Sequence, residues 1–96
     1  MRPDTVPFVA KREDTAPRGE RVDVASREPL TDQLVRILRA QIDAGTLTGR
    51  MPSESALEKY HDVSRVTVRR ALERLQADHK IYPLPGRGWF VGWREP

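Results

Sequence analysis

Cysteine is absent from the 96-residue chain. Neither a disulfide nor a thiolate metal site can therefore staple the fold, zinc-finger architectures are excluded, and stability has to come from an apolar core. Long apolar runs are absent too. Nothing approaches the length of a membrane span or of a signal-peptide core, and the N-terminus mixes prolines with charges of both signs, so no membrane partner is expected and the chain reads as cytoplasmic. Histidine is scarce. His61 and His79 stand alone, without a second nitrogen or a carboxylate at ligand spacing, and read as turn residues rather than metal ligands or catalytic groups. The length suffices for one small domain and a tail, with no room for a catalytic domain beside a binding one. The expectation is a protein that is not an enzyme and uses no cofactor or metal.

What the chain does have is positive charge, unevenly placed. The formal net charge is +3. Residues 1–28 hold six basic and six acidic side chains, whereas residues 29–96 hold eleven against eight, so the whole excess sits in the part that can fold. That distribution suits a nucleic-acid binder.

Residues 1–21 carry Pro3, Pro7 and Pro17, dispersed charges and only Val6, Phe8 and Val9 as an apolar cluster, the composition of a disordered tail. Val22-Asp23-Val24 alternates and is expected to form a short strand leading into a domain over residues 22–92, with 93–96 as a C-terminal tail. Pro29 marks the start of a first helix. Its apolar positions Leu30, Leu34, Ile37, Leu38 and Ile42 follow i, i+4, i+7, i+8, i+12 until Gly45 ends the pattern. A second, shorter helix opens at Pro52-Ser53-Glu54, with Ser53 as N-cap, Glu54 favourable in the first turn, and Ala56 and Leu57 turned inward.

After a tight connection at His61-Asp62, residues 64–77 predict a third helix with two surfaces. Val68, Ala71, Leu72 and Leu75 form one apolar stripe. Arg65 and Arg69 lie one turn apart on a flank, with Arg70 and Arg74 farther round. Ser64 caps the first turn and, with Thr67, leaves short polar groups beside the positive end of the helix dipole, which is what a phosphate backbone and a base edge ask of a recognition helix. Beyond Ala77, Ile81-Tyr82-Pro83-Leu84 and Trp89-Phe90-Val91 read as strands around a Pro85-Gly86-Arg87-Gly88 tip. The fold class is mainly α (α+β): a winged helix-turn-helix, three helices followed by a two-stranded wing.

These residues resemble the DNA-binding domain of the GntR family of bacterial transcriptional regulators. The likeness rests on Pro29-Leu30, Gly45-Thr46-Leu47, Pro52-Ser53-Glu54, Val63-Ser64-Arg65-Val66-Thr67-Val68-Arg69 and Gly86-Arg87-Gly88-Trp89-Phe90-Val91, in order and near the family spacing. It implies a winged helix that binds operator DNA as a dimer. By it Ser64, Arg65, Thr67 and Arg69 would meet bases and phosphates in the major groove and Gly86 would enter the minor groove; the DNA-binding set read from the chain also takes in Arg70, Arg87 as a backbone or minor-groove contact, Ser53, and Ser55, which stands where some relatives carry a contacting arginine and so implies a weaker contact. Asp62 and His79 occupy positions where the family uses glycine, and both residue types tolerate left-handed backbone comparatively well. Trp89 replaces a usual threonine; with Trp93 it either closes the core or offers a sticky patch. Family members continue into a larger sensing and dimerising domain, whereas this sequence ends at Pro96, as a stand-alone domain or a truncated piece, with no small-molecule effector site evident.

The function expected from all this is sequence-specific binding of double-stranded DNA by a transcriptional regulator, a repressor, acting as a homodimer on DNA. Two alternatives stand beside it: an accessory factor in recombination or mobile-element transfer, and a winged helix used for protein interaction.

Overall fold

A computed structural model describes residues 15–93 of the chain. Three helices, α1 (Leu30–Asp43), α2 (Glu54–His61) and α3 (Arg65–Ala77), precede an antiparallel hairpin of β1 (Ile81–Leu84) and β2 (Gly88–Val91). The expected winged helix-turn-helix is the observed fold.

Helix α1 turns Leu34, Val35, Ile37 and Leu38 inward, as the 3.6-residue periodicity requires. Gly45, at φ 78°, ends it: its N–H returns to the Ile42 carbonyl, a left-handed exit that glycine adopts without a Cβ penalty. Helix α3 packs against both α1 and α2, and its Val68, Ala71, Leu72 and Leu75 meet Leu34, Leu38, Leu57, Met51 and Ile81 in one core. Burial of each such leucine contributes about 1.5–3 kcal/mol. Along the solvent side of the α1–α3 seam run three ion pairs, Asp32 with Arg74, Arg39 with Asp78, and Asp43 with Lys80. At exposed sites such pairs set orientation more than stability.

Two helix ends depend on left-handed residues. Asp62 (φ 54°) closes α2, and His79 (φ 60°) follows α3, so the two positions where the resemblance leads one to expect glycine are both left-handed. At His79 the bonds His79 N–H to Gln76 O and Lys80 N–H to Leu75 O make a Schellman ending. The wing reverses at Pro85-Gly86, with the Arg87 N–H donated to Leu84 O at 2.9 Å and Gly86 at φ 77°. Proline at the second and glycine at the third place is the type II pattern.

Three features depart from the sequence reading. Val22-Asp23-Val24 forms no strand but leads into a turn over residues 23–26: Asp23 accepts from Ala25 N and Ser26 N, and the Gln33 carboxamide, buried at the start of α1, binds Asp23 N, Asp23 O and Glu28 O. Residues 15–21, assigned to the tail, lie against the domain. There Gln41 donates to Arg18 O, Tyr60 donates to Gly19 O, and the Arg21 guanidinium sits 4.2 Å above the Tyr60 ring. Residues 1–14, with Val6, Phe8 and Val9, and residues 94–96 lie outside the described residues. Finally, the connection before α2 supplies a third edge to the wing, with Met51 N–H to Trp89 O at 2.8 Å and Val91 N–H to Gly49 O at 2.7 Å. No helix among the described residues is long and apolar enough to cross a membrane.

Candidate nucleic-acid interface

Opposite the core stripe, the first two turns of α3 face outward. Ser64 accepts the Thr67 N–H at 3.1 Å and donates its hydroxyl to Thr67 Oγ1, so the two short polar side chains close the N-terminal turn together. Arg65, Arg69 and Arg70 are exposed, and Thr67 is half-buried. Between them Val66 is 55% exposed. Sequence reasoning passed over it, although it falls off the apolar stripe and the cost of an exposed branched apolar side chain in a helical first turn is a signal in itself.

The arginines are not alike. Arg65 donates from Nε to the Glu58 carboxylate, and Arg69 donates from Nε to Glu54 at 3.0 Å. Glu54 and Glu58 are one turn apart on α2, so this helix presents two carboxylates to two arginines of the next. Arg70 makes no hydrogen bond or ion pair among the described residues. Arg74 is drawn off to Asp32 on α1, away from this surface. Glu73, four residues after Arg69, lends it only a charge; the hydrogen bond goes to Glu54.

Glu54 has a second role. Its other carboxylate oxygen accepts from Trp89 Nε1 at 3.3 Å, so one side chain ties α3 to the base of the wing. Burial opposes ionisation of Glu54, but the hydrogen bonds from Arg69 and Trp89 and the charges of Arg69 and Arg65 outweigh it and hold the carboxyl below the ordinary glutamate range. The hydrogen bond and charge of Glu54 in turn raise the Arg69 guanidinium.

The remaining expected site residues fall around this group. Ser53 uses its Oγ as the α2 cap, accepting Ala56 N–H at 3.0 Å, and keeps its hydroxyl proton for a further acceptor. Ser55 is exposed in the first turn of α2. Gly86 and Arg87 form the exposed wing tip, where Arg87 has no side-chain partner among the described residues. Trp89 is half-buried against the core, whereas Trp93 is half exposed and stacks on His79 with ring centroids 3.7 Å apart.

His61 is the clear misreading. It is no turn residue but the last residue of α2, 3% exposed, with Nδ1 accepting the Val22 N–H at 3.2 Å. Desolvation, then the nearby Arg21 charge, lower its pKa, partly offset by Glu20. Its place four residues after Leu57, on the same helical stripe, was the available signal. No group of three or more potential metal ligands occurs among the described residues.

The comparisons with known proteins bear on the same elements. The model of "Bacterial regulatory proteins, gntR family" matches residues 30–91. YhdI of Bacillus subtilis, an uncharacterized HTH-type transcriptional regulator, is 35% identical over 77 residues, covering 78% of this chain and 16% of that protein. NagR of Bacillus subtilis, an HTH-type transcriptional repressor, is 40% identical over 65 residues, covering 66% of this chain and 27% of the repressor. The chain thus spans only a small part of these relatives' length. Among solved structures, AraR(DBD) in complex with operator ORE1 superimposes with a TM-score of 0.66 at 26% identity, covering 81% of this chain and 93% of that one. With the match running from the first residue of α1 to the last of β2, the chain belongs to the gntR family of bacterial regulatory proteins.

Proposed function

We propose that the chain binds double-stranded DNA sequence-specifically and regulates transcription, with residues 64–77 in the major groove and the wing, residues 85–89, in the adjacent minor groove. The observation that carries this is the capped, outward-facing start of α3, which groups Ser64, Arg65, Val66, Thr67, Arg69 and Arg70 on one exposed surface. Arg65 and Arg69 suit guanine, whose O6 and N7 accept a bidentate guanidinium, and Val66 suits the thymine methyl group. Ser53 and Ser55 supply hydroxyls to phosphates, the Ser64–Thr67 pair leaves the Thr67 hydroxyl proton for a further acceptor, and Arg87 with Gly86 supplies the narrow cationic tip a minor groove accepts.

Repression is the favoured outcome, by occlusion of a promoter without chemistry, as the name of NagR suggests for that relative. A domain of this size makes few base contacts, so binding as a homodimer on a palindrome supplies the affinity. Its place of work is the nucleoid, in the cytoplasm.

Selection of bound duplexes from a random pool at near-physiological salt tests the reading. A compact palindrome is expected. Direct repeats would point to an accessory factor on mobile DNA, and recovery of no motif would overturn base reading by α3.

A further inference from the structure

Glu58 has no role in the reading so far, yet it holds one of the two arginines on which that reading depends. Arg65 Nε donates to the Glu58 carboxylate, the two side chains being 54% and 26% exposed, and the other guanidinium N–H groups have no partner among the described residues. On the neighbouring turn Glu54 does the same for Arg69, but Glu54 also carries Trp89 and sits in the first turn of α2, so its structural and electrostatic duties are mixed. The Glu58 side chain has no other partner among the described residues. Ser55, uncharged, does nothing to offset the two carboxylates on this helix.

We propose that Glu58 is a specificity-determining residue: it holds Arg65 for a base edge and withholds it from phosphates. This rests on the reading that α3 enters the major groove. A guanidinium fixed through Nε keeps its two terminal nitrogens available for the paired acceptors of guanine, so the Glu58 contact and the base contact coexist at the correct sequence. On any other sequence the nearest acceptor for a long cationic side chain is a phosphate. To reach one, Arg65 has to leave Glu58, and the uncompensated carboxylate then faces the polyanion. Glu58 therefore weakens binding to arbitrary DNA more than binding to the selected site.

The test uses the full 96-residue chain, the duplex recovered by selection and a scrambled duplex of equal length and composition. Glu58→Gln keeps the shape and an acceptor and removes the charge. Its binding to the scrambled duplex is expected to tighten several-fold, with the slope of log K against log salt steeper by about 0.9, one added phosphate contact. Binding to the selected duplex changes less, so the ratio of the two affinities falls. In an Arg65→Ala background the same substitution should lose the steeper slope. An unchanged ratio, or a slope change that persists without Arg65, overturns the proposal, the second because it marks a general charge effect. Arg65→Ala alone separates the two readings: if it leaves selected binding intact, the groove assignment fails, whereas if it destroys that binding while Glu58→Gln leaves the ratio unchanged, only the role of Glu58 fails. Thermal unfolding of each variant confirms that it is folded.

Discussion

The two ends of α3 use the same residue type for different ends. Near the C-terminus Arg74 pairs with Asp32 across the α1 seam, and the Schellman ending at His79 hands the chain to the wing. Near the N-terminus Arg65 and Arg69 pair with carboxylates of α2, within the surface proposed for DNA, and their side chains stay more than half exposed. The element that holds its counter-ion thus decides whether an arginine of this helix braces the seam or stays within the surface proposed to read DNA. Charge runs read from sequence cannot separate the two cases.

The core stripe is common to both ends, and removing it should erase the comparison. Leu72→Ala is expected to cost about 2–5 kcal/mol by denaturant unfolding, because Leu72 is wholly buried between the two halves. A cost under about 1 kcal/mol would mean that the seam is loosely packed.

Next in size is the contrast between arginines. Arg69→Ala should weaken binding to the selected duplex roughly tenfold or more, measured at fixed salt, while the fold survives. Arg74→Ala should leave that affinity within about twofold and lower stability by no more than about 1 kcal/mol, the scale of an exposed ion pair. Equal effects on DNA binding would dissolve the distinction.

Acid should loosen the domain where α2 meets Val22. Because His61 is neutral in the fold and its pKa is lowered, the unfolded chain takes up a proton first, near pH 6.5. Stability is therefore fully present above that pH and falls as the pH drops from about 6.5 towards the depressed folded value, by no more than about 1.4 kcal/mol per pH unit for one proton. His61→Gln, which keeps an acceptor for Val22 N–H, should flatten the dependence of the unfolding midpoint over this range. A slope identical to the parent would assign the acid sensitivity elsewhere; Glu54, also lowered, contributes only at more acidic pH.

The smallest effect concerns the entrance and exit of α3. Asp62→Gly should raise stability by roughly 0.5 kcal/mol, since glycine removes the left-handed penalty at some cost in unfolded-state entropy. His79→Gly should gain less, because it forfeits the stack on Trp93. Two equal gains would show that the stack contributes nothing.

Much of this architecture is legible in the sequence. The spacing from Leu30 to Ile42 outlined α1, Ser53 and Ser64 announced the starts of α2 and α3, and Pro85-Gly86 marked the wing turn; each follows from contacts within a few residues. The group gathered on the outward start of α3 was legible as well, apart from Val66. Less visible were the turn clamped by Gln33, the buried His61 and the wing edge at residues 49–51. None of these produces a period, and a histidine on a short helix looks the same in sequence whether it meets solvent or Val22 N–H.

The sequence by itself determined the elements, their caps and the winged order, because helix periodicity, capping and turn geometry are decided by neighbours one to four residues away. Only the tertiary structure decided which carboxylate each arginine meets and where residues 15–28 lie. Those contacts join residues far apart in the chain, 15 positions for Arg69 with Glu54, 39 for Val22 with His61 and 42 for Arg74 with Asp32, and only packing around the shared core brings them within reach.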